Sequence, residues 1–208
     1  MKNKLSAIWL ALICIIVFIL QVVIPGFTDL LLLNKQALQG EVWRFVTSIF
    51  LHASLEHLIF NLFALVLFGL ILEKLISTNR FLIVFFASGI IANIFSVNFY
   101  DASLGASGAI LGIIGTLTIL EPLMTVFAFS LPMPMFIASI LWIAADIFGI
   151  FFPSGTANLA HLSGIAIGII LGIVFRVRHY KKLKTRAEYS RINLSEQNVR
   201  NWEDRYLR

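Results

Sequence analysis

Cysteine and charge are what this chain has least of: one cysteine, Cys14, in 208 residues, and charged side chains at only 13%. A lone thiol inside an apolar run leaves no disulfide framework, CxxC redox pair or thiolate metal cluster to consider. Soluble globular domains carry about 25% charged residues, so this composition excludes one. The 59% hydrophobic content and the mean hydropathy of +0.92 identify a membrane chain. The formal charge of +5 and pI near 9.6 would suggest nucleic acid on a soluble protein. Its location removes that reading. Residues 1–175 carry six Lys and Arg against seven Asp and Glu, and residues 176–208 carry ten against four, so the basicity belongs to the C-terminal end.

Long apolar runs are abundant. Six of them suffice to cross a bilayer, approximately Leu5–Ile24, Leu55–Ile76, Phe81–Phe99, Gly108–Phe129, Met133–Phe151 and Asn158–Val177, each close to the roughly 20 residues that a helical span needs. The fold class expected is all-α, a polytopic bundle of six transmembrane helices. Glu121-Pro122 and Leu131-Pro132-Met133-Pro134 place a turn between the fourth and fifth spans. The first run follows Lys2 and Lys4, as a signal peptide would. Its length and the absence of a small-residue cleavage site before Pro25 favour a retained helix. Lys2, Lys4, Lys74, Arg80 and the tail share one side of the membrane, and only Lys35 and Arg44 fall on the other. The positive-inside bias therefore puts both termini in the cytoplasm of a multi-pass cell-membrane protein. The expected division is a membrane domain at 1–178 and a basic tail at 179–208, solvated and touching anionic lipid.

In that topology the second, fourth and sixth spans all begin at the extracytoplasmic face, and each opens with polar residues. Ser54 suits an N-cap and Glu56 the positive end of the helix dipole, after which His57 and Asn61 lie four apart on one face. His52 precedes this helix and is expected to bond loop groups or hold water. The fourth span begins at Gly105-Ala106-Ser107-Gly108, and the sixth at Asn158-Leu-Ala-His161-Leu-Ser-Gly164. Ala160, Gly164, Gly168 and Gly172 form a small-residue stripe, as do Gly108, Gly112 and Gly115 or Thr116. Such stripes let helices pack backbone to backbone in lipid. Contact between the fourth and sixth spans would bring the Ser107 hydroxyl to the His161 imidazole, the arrangement of an activated nucleophile.

These residues resemble the rhomboid family of intramembrane serine proteases. The likeness lies in Trp43-Arg44, in His52, His57 and Asn61 at HxxxxHxxxN spacing, in Gly105-Ala-Ser107-Gly108, and in Ala160-His161-Leu-Ser-Gly164 followed by Gly168. It implies the minimal six-helix prokaryotic form, cutting transmembrane substrate helices in a water-filled cavity open to the extracytoplasmic side. Ser107 would be nucleophile and His161 general base and acid, without metal or cofactor. The resemblance assigns the oxyanion hole to the Ser107 backbone N–H with His57 and Asn61, and supporting places to His52, Gly105, Gly108 and Gly164. Single-pass membrane proteins would be the substrates, admitted near the second and fifth helices, where Phe148, Phe151 and Phe152 could line a gate.

The pattern departs from the family in two respects, one being the first span, which carries no family signature and rests on hydropathy alone. Leu111 stands four residues after the nucleophile, where rhomboids often carry an aromatic ring that stacks on the base. Trp43-Arg44 reads as an interfacial anchor of the loop, and Glu73 and Lys74 as residues that pair with neighbours or snorkel. Asp146, an intramembrane carboxylate, is a candidate for orienting His161, although the resemblance implies a two-residue dyad. A metal site on His52, His57 and His161 is disfavoured. There is no HExxH, and residues five apart on a continuous helix lie about 140° from a common face. The remaining alternative is a rhomboid-like pseudoprotease that binds transmembrane clients without cutting them. Loss of the serine or histidine would mark such a protein, and this chain keeps both.

Overall fold

Eighteen residues, Ser6–Val23, wind into the first long helix, α1, apolar except for Ser6 and Gln21. The computed structural model describes residues 5–152 and 155–206, with residues 177–197 in backbone only. Lys2 and Lys4, which enter the orientation argument, lie outside the described residues. The chain divides into two compact units, Met1–Ile173 and Val174–Arg208.

After α1 come a short helix α2 (Phe27–Leu31), strand β1 (Leu33–Asn34), a 3-10 turn (Lys35–Gln39), helix α3 (Arg44–Thr47) and a second 3-10 turn (Ser48–Phe50). The long helices α4 (Leu55–Ile76) and α5 (Thr78–Phe99) follow, then strand β2 (Ala102–Ser103), which pairs antiparallel with β1. Helix α6 (Ser107–Leu120), a hairpin of β3 (Thr125–Ala128) and β4 (Leu131–Pro134), and helix α7 (Met135–Phe151) lead to helix α8 (Asn158–Tyr206). The described part of the chain is a polytopic helical membrane bundle. α1, α4, α5 and Asn158–Arg176 are long and apolar enough to cross a membrane, and α6 and α7 are shorter apolar helices.

The fourth expected span is corrected by this structure. It ends at Leu120 rather than near Phe129, because proline at 122 disfavours helical backbone in the residue before it, and Glu121 leaves the helix at φ −133°, ψ 61°. The apolar residues beyond form the β3–β4 hairpin. Its two-residue turn holds Phe129 and Ser130 at φ 52° and 63°, the left-handed pair that a type I′ hairpin requires. At 14 residues, α6 is the shortest of the bundle helices and the most enclosed, with every residue from Gly108 to Leu117 buried.

Small residues put α6 at the centre. A Cβ on Gly164 would stand 2.2 Å from the Gly108 carbonyl oxygen, and one on Gly168 would stand 2.0 Å from that of Gly112. Thr116 Oγ1 donates to the Gly168 carbonyl at 2.9 Å. On another face of α6, a Cβ on Gly108 would meet Ala92 Cβ at 2.6 Å, so α5 also packs closely there. The two stripes read from the sequence are this packing.

α1, which carries no motif, is held at both ends by single side chains. Gln21 Oε1 accepts from the His52 backbone N–H at 2.9 Å, while its Nε2 donates to the His52 carbonyl and to Thr28. At the other end, the buried Glu73 of α4 accepts from the Ser6 and Ala7 backbone N–H groups, both at 3.1 Å, and from the Thr78 hydroxyl at 2.8 Å. Glu73 is thus a cap for another helix, placed where the dipole favours an anion. Glu73→Ala is expected to lower stability by about 2–3 kcal/mol, the range for hydrogen bonds to a charged group, read as a lower midpoint of thermal unfolding in detergent.

Candidate active site

Ser107 is the first residue of α6, and the loop before it is fixed by glycine chemistry. Gly105 sits at φ 129°, and a Cβ there would lie 2.8 Å from His57 Cε1. Any side chain would be strained and would push the imidazole away. The Gly105 N–H donates to the Ser48 carbonyl at 2.9 Å. Ser48 in turn donates from Oγ to the Arg44 carbonyl and accepts from Asn93 Nδ2 of α5. Arg44 is only 3% exposed. Its guanidinium donates to the carbonyls of Asp29 and Leu32 and to Gln36 Oε1, and it pairs with Glu41. Arg44 is therefore an internal organiser of the loop rather than an interfacial anchor. Trp43, half exposed, donates from Nε1 to the Leu30 carbonyl.

His161 lies in the first turn of α8, with its backbone N–H donating to the Ala157 carbonyl. Its Nε2 is 2.7 Å from Ser107 Oγ, and its Nδ1 is 2.9 Å from Asp146 Oδ1. A carboxylate only accepts, so Nδ1 carries the ring proton and Nε2 accepts from the serine hydroxyl. Sequence reasoning left Asp146 as one candidate; the structure brings it to His161.

His57 and Asn61 face the same space from the first turns of α4. Ser54 caps this helix by accepting from the His57 N–H at 3.1 Å. Asn61 Nδ2 donates to the His57 carbonyl at 2.8 Å, and its buried Oδ1 has no protein partner. His57 Nδ1 accepts from the Ala53 N–H at 3.5 Å. His52 is 1% exposed, with Nδ1 on the Phe50 carbonyl at 3.3 Å and its ring edge-on to that of His57 at 5.1 Å. Burial, and then the neighbouring His57, push its pKa down to about 4, so at pH 7 it is neutral. It bonds a loop group, the Phe50 carbonyl. Gly108 and Gly164 meet at the α6–α8 crossing beside the serine and histidine.

Two cavities adjoin at Ser107, His161, Asn61 and Thr156. One, of about 370 Å³, is lined by His57, Tyr100, Ser103 and Ala157 and by the backbone around Leu104. The other, of about 380 Å³, runs between α4 (Phe60, Ala64, Phe68) and α7 (Trp142, Ala145, Asp146), with Ile110, Leu111 and Ile114 as its floor. Trp142 in its lining stands edge-on to Phe68 at 6.1 Å and tilted against Phe129 at 5.9 Å. Phe148, Phe151 and Phe152 are exposed and line neither cavity. Among the described residues, no group of three His, Cys, Asp or Glu side chains could hold a metal ion. The arrangement offers a hydroxyl on a base, a helix N-terminus beneath it, and two adjoining chambers, the one beside His57 lined by more polar surface than the one between α4 and α7.

Residues 39–178 match the family described as the rhomboid domain. The chain is 34% identical over 143 residues to RHOMBOID-like protein 6, mitochondrial, of Arabidopsis thaliana, a match covering 67% of this chain and 46% of that protein. It is 30% identical over 165 residues to Rhomboid protease GlpG of Yersinia pseudotuberculosis, covering 76% and 58%. Over a shorter segment of 85 residues it is 44% identical to Rhomboid protease GluP of Bacillus subtilis, covering 40% and 17%. The match thus spans less than half of the plant relative and little more than half of the Yersinia one.

Proposed function

From the premise that this chain belongs to the rhomboid family, we propose that it is an intramembrane serine endopeptidase acting on transmembrane helices of membrane proteins. The observation that carries this reading is the 2.7 Å contact between Ser107 Oγ and His161 Nε2 at the junction of the two cavities.

Ser107 Oγ attacks the scissile carbonyl carbon while Nε2 of His161 takes its proton. A C–O bond forms and the carbonyl oxygen becomes an anion, facing the Ser107 backbone N–H and the side chains of His57 and Asn61. Collapse breaks the C–N bond, and His161 returns the proton to the leaving amine. Water, deprotonated by the same nitrogen, then releases the acyl group from Ser107. His57→Ala and Asn61→Ala should each lower turnover roughly 10²–10³-fold, the usual effect of losing one oxyanion donor, with the Michaelis constant little changed in initial-rate assays.

In this reading the substrate is a single-pass protein, admitted through the α4–α7 cleft. Both termini are cytoplasmic and the chamber beside His57 opens extracytoplasmically. The supporting argument for depth is arithmetic. The 14 residues of α6 rise about 21 Å against a hydrocarbon core of roughly 30 Å, so Ser107 lies below the membrane surface. The basic end at 179–208 holds anionic lipid headgroups on the cytoplasmic side. The test is incubation of the purified protein with a single-pass substrate in liposomes, followed by mass spectrometry of the products. Cleavage within or beside the substrate's span is expected. Binding without any cleavage would overturn the protease reading in favour of a client-binding pseudoprotease.

A further inference from the structure

Asp146 is an ionisable group on α7 with apolar neighbours along its own helix, Ala144, Ala145 and Ile147. It is 9% exposed. A carboxylate is costly in such surroundings unless it is paired, and among the described residues its hydrogen-bond partner is His161 Nδ1, at 2.9 Å. One helical turn beyond Ser107, α6 carries Leu111, which lines the α4–α7 cavity and offers no ring to stack on the imidazole. The imidazole is therefore gripped at both nitrogens, by Ser107 from α6 and by Asp146 from α7.

We infer that Asp146 is a positioning residue for His161, acting through the imidazole rather than on the substrate. The inference rests on the serine-protease reading and deepens it. Asp146 acts in two ways. As an acceptor it holds the ring proton on Nδ1, which leaves Nε2 free to accept from Ser107. As an anion it stabilises the imidazolium that forms when Nε2 takes the serine proton. Other titratable groups facing the same chambers are His57 from α4 and Tyr100 at the end of α5, while α6 presents the Ser107 hydroxyl. Of these, Asp146 supplies the negative charge at hydrogen-bond distance from His161.

The test uses the full-length protein in nanodiscs, with Asp146→Asn and Asp146→Ala beside wild type. In Asp146→Asn, kcat should fall by roughly 10²–10⁴-fold, bounded by the loss seen when a triad carboxylate becomes an amide, while KM stays within a factor of about two, as for an interaction made only in the transition state. The second readout does not need activity. ¹⁵N NMR of histidine-labelled protein should show His161 as the Nδ1–H tautomer in wild type and in Ser107→Ala, and as the Nε2–H form or a mixture in both Asp146 variants. An unchanged His161 tautomer in folded Asp146 variants would overturn the inference, even if activity fell through loosened packing. A tautomer change in a wild-type protein that cuts nothing would sink the protease reading and leave the positioning of His161 by Asp146 standing.

Discussion

Ser107→Ala and His161→Ala should each reduce proteolysis by roughly 10⁴–10⁶-fold, and the double variant should be no worse than either alone, because a nucleophile and its base act as one unit. The reasoning starts from the 2.7 Å Oγ–Nε2 contact. Without Oγ there is no atom to form the acyl bond. Without Nε2 the hydroxyl keeps its proton at neutral pH and attacks as a poor nucleophile. Ser107 and His161 meet through their side chains, and the backbone contact of α6 with α8 rests on Gly108, Gly112, Gly164 and Gly168, so both variants should stay folded and still retain substrate. Initial rates on a single-pass substrate, with co-purification of substrate by the inactive variants, measure both parts. Cleavage that persists in Ser107→Ala would exclude Ser107 as the nucleophile.

The second large effect is expected at a residue that touches no substrate. Gly168→Ala places a methyl group 2.0 Å from the Gly112 carbonyl oxygen, and a backbone atom cannot swing aside. α6 and α8 must separate by about 1 Å or more, and overpacking of this kind costs about 1–3 kcal/mol or more. The same two helices carry Ser107 and His161, and a misplacement of about 1 Å costs roughly 10²-fold in rate. Gly168→Ala should therefore lose both thermal stability and most of its activity. Gly164→Ala should behave likewise, its Cβ being 2.2 Å from the Gly108 oxygen. Gly172→Ala should be milder, since its nearest atom is Ile119 Cβ at 2.8 Å and the change lies furthest from the site. Unfolding midpoints and rates for the three variants, ranked together, check the argument. Equal effects at all three would count against backbone contact as the cause.

The parts of this molecule that could be read from sequence are those where one residue type has one physical use. Leu55–Ile76 was expected as a span and is α4, because Ser54 can cap it and the apolar run stops at Ser77. The glycine stripes could be read because only small residues let two helix backbones touch. The end of α6 was misplaced because hydropathy is the same for an apolar strand as for an apolar helix. The residues from Thr125 to Pro134 satisfied it equally as a hairpin. Asp146, Gln21 and Glu73 are harder still. Each acts on a partner at least 15 residues away, and which face of a helix meets which neighbour is settled by packing. Arg44 is visible in the sequence but not its burial, because a guanidinium that satisfies four loop partners looks in sequence like an interfacial anchor.

The unequal helix lengths bear on the lipid as much as on the protein. The 22 residues of α4 and the 17 of α7 rise about 33 Å and about 25 Å, so a bilayer with a hydrocarbon core of roughly 30 Å fits one flank and overhangs the other. Acyl chains must stretch beside α4 and shorten beside α7, each at fractions of a kcal/mol per Å. These two helices frame the apolar cavity, so its mouth lies at the edge of the compressed patch.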